Sequence, residues 1–365
     1  MSARQRLVIT AWSAVSPHGI GRQSFVDGTA SGASAVTTLD PGQWAGPSDR
    51  GGVVPGFDIK KVLGPKGTRK MDRVTALVVS TVGELLADGG ISTGEDTALV
   101  LGSTMGSAKS IMDFTEDVLV RERPYMVDPA KMPNSVMNCA AGACAIWHGL
   151  KGPNTTLAGG QAAGLLALDY ARRLLAHDRA AKVLVGAAEE YSAERAWMDR
   201  HSWQAETPDR VLGEGCAVLL VEAVDEVGRP GARTPLAEVL ATESRVYLEG
   251  DPGRVLLACV RSALDRAGVP ADEVWAAVPS SVGDRGRLES DAVRALFADE
   301  VLARVPTGEA LGDTGAASAA LRIATVLSVA ERSPEAAGQV AVVTSVDRYG
   351  TVACSVLRLA DPART

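Results

Sequence analysis

The chain of 365 residues is longer than one hydrophobic core usually supports, so two domains, or one fold built from two halves, are expected. Thirty-seven Lys and Arg against 44 Asp and Glu leave a net charge of −7, and the positive residues are scattered, which argues against nucleic acid as the main partner but allows a local anion-binding patch. The opening Met-Ser-Ala-Arg-Gln-Arg leads into a strand-like segment rather than a signal-peptide core, and no run approaches membrane-spanning length, so a cytoplasmic chain without a membrane partner is expected.

In chain order, Leu7 to Thr10 reads as a first strand, and the densest basic run follows at Lys60, Lys61, Lys66, Arg69, Lys70 and Arg73. Val82 to Leu101 reads as a helix, a Gly stop, an acidic turn and a buried strand. Lys151 to Leu157 is a β-branched strand bounded by Gly and Pro, followed by the turn Gly159-Gly160-Gln161-Ala162-Ala163-Gly164, a helix over Leu165–Leu175 and a strand from Lys182. Asp225 to Arg233 then breaks the pattern with Gly and Pro, which divides the chain into halves at 1–228 and 229–365. Val260 to Val278 repeats the order of Val82–Leu101, and Gly312 to Arg348 repeats the turn, helix and strand of Gly159–Glu190. Helices alternating with short apolar strands in two matching halves predict a duplicated α/β/α/β/α layered fold with two mixed sheets.

The turn at residues 159–164 carries the clearest chemical signal. Its glycines allow the sharp strand-to-helix geometry that lifts one side chain to a helix N-terminus, where the dipole favours a thiolate or an oxyanion. The residue so presented is Gln161, which donates and accepts hydrogen bonds but cannot attack. The five cysteines, Cys139, Cys144, Cys216, Cys259 and Cys354, are dispersed and set among Ala, Val and Leu, as expected of buried reduced thiols rather than disulfides or a metal site. The four histidines are His18 in an N-terminal turn, His148 in a connector, His177 at a helix C-terminus, and His201. None lies in the second half, and neither a metal nor another cofactor is expected.

These features together resemble a β-ketoacyl synthase of the thiolase superfamily over nearly the whole chain. The resemblance rests on Arg6 to Gly21, Pro133-Asn134, Gly149-Leu-Lys-Gly-Pro-Asn154 and Leu212-Gly-Glu-Gly-Cys-Ala-Val-Leu-Leu-Val-Glu222, in family order and spacing. The family condenses acyl chains with a cysteine at the elbow, two histidines and a lysine. Here Gln161 holds the cysteine's place. The first histidine motif is matched only loosely by Ser280 to Asp291, without a histidine. The second corresponds to Thr307–Ser318, with Gly312 or Asp313 at the histidine position and no lysine. The family's glycine-rich gating loop is Val346-Asp-Arg-Tyr-Gly-Thr-Val352, stiffened by Asp347, Arg348 and Tyr349.

A ketosynthase with glutamine for cysteine resembles the chain-length factor, or ketosynthase β subunit, of bacterial type II polyketide synthases. That resemblance implies a subunit with no catalytic residues, paired with an active ketosynthase α subunit as a heterodimer that shares an acyl tunnel. It implies Thr155, Thr156, Leu157 and Ala158 at the dimer interface, Ala108, Ile111, Met112 and Thr115 along the tunnel, and an acidic acyl carrier protein steered by the basic run from Lys60 to Arg73. The short connector between Trp203 and Gly213 points to a reduced, polyene-making system. Two alternatives stay open: a malonyl-carrier decarboxylase that makes starter units, and a non-catalytic homodimer of the same fold.

Overall fold

The computed structural model describes residues 6–203, 210–226, 233–248, 250–280 and 283–361. Nine long strands carry the architecture: β1 (Leu7–Ser16), β2 (Thr97–Ser103), β3 (Asn154–Ala158), β4 (Lys182–Glu189), β5 (Gly215–Ala223), β6 (Ala237–Val246), β7 (Val274–Val278), β8 (Val340–Val346) and β9 (Thr351–Leu359). The helices that pack on them are α1 (Arg22–Ser31), α2 (Ile59–Leu63), α3 (Arg73–Asp88), α4 (Ala108–Val120), α5 (Cys139–His148), α6 (Ala163–Ala176), α7 (Ala193–Trp203), α8 (Pro252–Ala267), α9 (Gly283–Val293), α10 (Asp299–Ala303) and α11 (Ser318–Ala330).

The strand order is β3-β2-β4-β5-β1 in the first half and β7-β8-β9-β6 in the second. Three pairings of each half correspond: β2/β4 and β7/β8 are parallel, β4/β5 and β8/β9 antiparallel, β5/β1 and β9/β6 antiparallel, while β3, paired parallel with β2, extends the first half alone. The expected duplication is therefore present in the hydrogen bonding itself. The two mixed sheets meet along β1 and β6, where Leu7–Ile9 pair antiparallel with Ala237–Val239, so they share one continuous ladder. The proposed boundary at 228/229 falls on residues 227–232, outside the described residues.

Local sequence explains the helices that frame this ladder. Asp72 caps α3 by accepting from the Thr75 amide at 2.9 Å, and Ser107 caps α4 by accepting from Ser110 N at 3.1 Å. Asp251 and Pro252 open α8, and Gly268 stops it in the left-handed conformation. Cores form on both faces of the ladder. α3 and α5 cover the outer face of the first half, α8 and α9 cover that of the second, and α6 and α11 fill the space between. The central pair packs so closely that a Cβ on Gly164 would lie 2.9 Å from Ala320 N. Ser318 to Ser328 of α11 are all buried, which accounts for that helix's Ala-rich composition.

One buried charge pair ties α11 to the second half. The Arg322 guanidinium donates to the Thr344 carbonyl at 2.5 Å, to the Val278 carbonyl at 3.1 Å and to Glu289 at 3.4 Å. Glu289 also accepts from Ser280 N, Thr344 Oγ1 and Val346 N at 2.9, 2.6 and 3.2 Å. Removing one partner strands the other charge. Glu289→Leu is expected to lower unfolding stability by about 3–5 kcal/mol, read as a shift in the urea midpoint; a shift within error would show that Arg322 finds other compensation.

Candidate functional site

β3 ends at Ala158, and Gly159 and Gly160 turn the chain into a single 3₁₀ turn, Gly160–Ala162, that feeds α6. Gly160 sits at φ +49°, and a Cβ there would approach Asp347 Oδ1 to 1.9 Å. Only glycine fits this elbow. It delivers Gln161, half-buried, to the edge of a cavity of about 120 Å³ bordered by Thr104, Met105, Ala108, Met198, Asp199 and Arg210, with Arg348 and Tyr349 beyond.

The cavity wall facing Gln161 is ionic. Gln161 Nε2 donates to the Asp313 carboxylate at 3.2 and 3.4 Å. Asp313 also accepts from Arg210 Nε at 2.5 Å and Gly315 N at 2.8 Å, and Arg210 Nη1 reaches Asp199 at 2.8 Å. Burial pushes the Asp313 carboxyl up, but the charges of Arg210 and Arg195 and the Gly315 amide together hold it below the usual carboxylate range. Arg195 braces the same wall from behind, donating to the carbonyls of Glu190 and Gly213, both at 2.7 Å, and of Asp313 at 3.1 Å. Of the two residues that sequence allows at the second histidine position, Asp313 is the one brought to Gln161; Gly312, at φ +72°, makes the turn before it.

The loop between β8 and β9 closes the opposite side. Asp347 Oδ1 accepts from Gln161 N at 3.1 Å and Oδ2 from Tyr349 N at 2.8 Å, while Tyr247 Oη donates to the Asp347 carbonyl at 2.7 Å. The stiffening expected from Asp347, Arg348 and Tyr349 is thus accompanied by bonds from the loop to the elbow and to β6's C-terminal flank. None of the five thiols lines this cavity. Cys144 and Cys216 lie in the first-half core, where burial pushes the Cys216 thiol up to about 12; Cys259 and Cys354 lie in the second-half core, and Cys139 is half-buried on α5. His148 ends α5 rather than sitting in a connector, and its Nε2 meets the Val79 carbonyl at 2.9 Å. His18 lies in the expected turn. Burial lowers the pKa of both histidines.

The remaining sequence-derived positions divide. Thr155 to Ala158 form β3, the outermost strand of the ladder. On the α4 face, Ala108 is buried and borders the cavity, whereas Ile111 is half-buried and Met112 and Thr115 are exposed, away from the cavity lining. The root of α4 is held by Glu190, which accepts from Ser107 Oγ at 2.9 Å and Lys109 N at 3.2 Å; burial and the nearby Asp72 push its carboxyl up to about 8. Lys60, Lys61, Lys66, Arg69 and Lys70 are exposed. Arg73 is a correction to the basic run: its guanidinium bonds the buried Glu214 at 2.5 and 2.6 Å and stacks over Phe57 and Trp44, so it is not free for a partner. Sequence reasoning missed Arg195, Asp199 and Arg210, whose importance lies only in contacts across the fold.

Large apolar side chains on α4, α5 and the segment between them are exposed, including Leu119, Tyr125, Met126, Met132, Val136 and Ile146, the last 86% exposed. Clusters of exposed large apolar side chains on a protein surface commonly mark interaction sites.

Comparison with known proteins places this geometry. A sequence model described as "Beta-ketoacyl synthase, N-terminal domain" matches residues 4–226. The chain belongs to the β-ketoacyl synthase family. Among solved structures, one described as "The ishigamide ketosynthase/chain length factor" is 50% identical with a TM-score of 0.93, covering 97% of this chain and 99% of that one. Among curated proteins, 3-oxoacyl-[acyl-carrier-protein] synthase 2 of Vibrio cholerae serotype O1 is 25% identical over 252 residues, 63% of this chain and 61% of that protein. The match therefore spans about three fifths of that relative's length. Granaticin polyketide putative beta-ketoacyl synthase 1 of Streptomyces violaceoruber is 29% identical over 302 residues, 72% of this chain and 70% of that protein. Among the described residues no helix is long and apolar enough to cross a membrane.

The elbow supplies a direct test. Gly160→Ala is expected to cost about 1–3 kcal/mol and to free the 347–349 loop from the elbow, seen as a lower melting temperature with faster proteolysis near Tyr349; an unchanged melting temperature would refute the close approach to Asp347.

Proposed function

We propose that this chain is the non-catalytic, ketosynthase-like subunit of a type II polyketide synthase, which pairs with a condensing ketosynthase and sets chain length by walling the acyl tunnel at their interface. One observation carries the reading. At the place where the family attacks an acyl thioester, the side chain is an amide hydrogen-bonded to an ionised Asp313 that is itself paired with Arg210. Acyl transfer needs a nucleophile and a base within hydrogen-bond reach. This cavity offers neither a thiol nor an imidazole.

The surface supports the rest. β3 leaves one side of its backbone open at the ladder's end, with an apolar apron beside it, as suits a strand that adds antiparallel to a partner's equivalent through Thr155, Thr156, Leu157 and Ala158. The outer part of the α4 face, half-buried Ile111 with exposed Met112 and Thr115, would gain its opposite tunnel wall from that partner, with Ala108 at the inner end. Lys60, Lys61, Lys66, Arg69 and Lys70 would steer an acidic acyl carrier protein to the complex. We propose the reduced, polyene-making pathway class on the short connector between Trp203 and Gly213, of which residues 204–209 lie outside the described residues. The decarboxylase alternative is disfavoured by the carboxylates of Asp313 and Asp347, which face the elbow where an enolate would need donors.

The test is co-expression with a ketosynthase from the same polyketide system, followed by product analysis. A stable 1:1 complex is expected, and Ile111→Trp should shorten its product by at least one two-carbon extension while condensation continues. A lone homodimer, or full-length product from the variant, would overturn the reading.

A further inference from the structure

A ketosynthase that has lost its cysteine keeps one route open: decarboxylation of a malonyl thioester. In that step the bond from the α-carbon to the carboxylate breaks and CO₂ leaves. The electron pair passes to the thioester oxygen as an enolate, which is then protonated at carbon. The route needs a hydrogen-bond donor at the elbow and tolerance for a growing negative charge. The Gln161 amide could supply the donor, so what surrounds it decides the matter.

Resting on the reading above, we propose that Asp313 bars anionic chemistry at the elbow, so that neither a thiolate nor an enolate is stabilised beside residue 161 and malonyl units are spent only at the partner's site. Three features carry this. First, an ionised carboxylate only accepts hydrogen bonds, so it must face the amide NH₂ of Gln161; the 3.2 and 3.4 Å contacts show both Asp313 oxygens engaging Nε2. The amide nitrogen is thereby turned toward a negative charge. Second, Asp313 cannot turn away, because Arg210 Nε at 2.5 Å and the Gly315 amide at 2.8 Å hold both of its oxygens. Third, the backbone amide of residue 161, which could otherwise serve as a donor, is taken by Asp347 Oδ1 at 3.1 Å.

The opposing influences are weaker at this spot. The N-terminus of α6 contributes about half a positive charge, whereas Asp313 is a full negative charge in direct contact. Arg210 borders the same cavity, but its guanidinium is bonded to Asp313 and Asp199. Arg195 is committed to three carbonyls and lies 3.9 Å from Glu189, which accepts from Thr104 and from Ala316 N. Arg348 borders the cavity from the loop and stacks on Tyr349. Titratable groups thus surround residue 161 from the end of β4, from α7, from Arg210, from the turn before α11 and from the β8–β9 loop, and the carboxylates are the ones bonded to it.

A thiol placed at the elbow reports this field directly. In a Cys139→Ala background, Gln161→Cys is prepared alone and with Asp313→Asn, and the modification rate by iodoacetamide, in which the thiolate sulfur displaces iodide, is followed against pH by peptide mass spectrometry. The single variant should titrate above the ordinary thiol value of about 8.5. Adding Asp313→Asn should lower the midpoint and speed labelling at pH 7.5 by about tenfold, which is one pH unit. A single variant that titrates at or below the ordinary value, or two variants with the same midpoint, would overturn the proposal. The single variant leaves the buried cluster in place, so a midpoint at or below the ordinary value overturns the proposal even if the double variant fails to fold. Failure to pair with a ketosynthase would instead sink the functional reading and leave these midpoints untouched.

Discussion

The contact between Asp313 and Arg210 is the interaction on which the rest of the site depends. A buried carboxylate and guanidinium are costly to desolvate, and such a pair persists only where further hydrogen bonds complete it. Here the completing groups come from Gln161, Gly315 and Asp199, and Arg195 braces the Asp313 carbonyl. The pair therefore draws together the elbow after β3, the turn before α11 and the segment that follows α7. Those three segments are joined around residue 161 by charge pairing and hydrogen bonds. The cluster is a junction between the two halves of the fold.

That junction suits a protein whose surface has the larger task. The duplicated ladder ends in β3, a short strand with one open backbone edge, and the elbow follows it directly. Fixing the elbow through Asp313 and Asp347 also fixes the end of β3 and the angle at which α6 leaves it. The apolar residues from Leu119 to Val136 and Ile146 lie on α4, α5 and the segment between them. A partner that extended the sheet at β3 would meet this apron next.

Much of this was legible in the sequence because it depends on local pattern. The helix-stop-strand repeat predicted two matching halves, since each half's topology follows from periodicity and glycine placement. Gly160 and Gln161 announced the elbow for the same reason. Long-range pairing was not legible. Arg73 closes a basic run in the sequence, but its partner Glu214 lies 141 positions away, and nothing local marks it as taken. Arg210 stands between a connector and a strand with no signal beyond its charge. The choice between Gly312 and Asp313 turned on a one-residue gap that only the fold resolves. On α4, the spacing of Ala108, Ile111 and Thr115 marked residues that do lie on one helix, but spacing could not tell that burial falls from Ala108 to Thr115 along it.

The most direct measurement is acyl partition in the assembled complex. The chain would be mixed with its ketosynthase and an acyl carrier protein charged with a labelled acyl thioester, and intact-mass analysis would report which subunit carries the acyl group after a single turnover. The account predicts label on the ketosynthase alone, at every pH where that enzyme is active. Acyl adduct on this chain, at any residue near the Gln161 elbow, would contradict it.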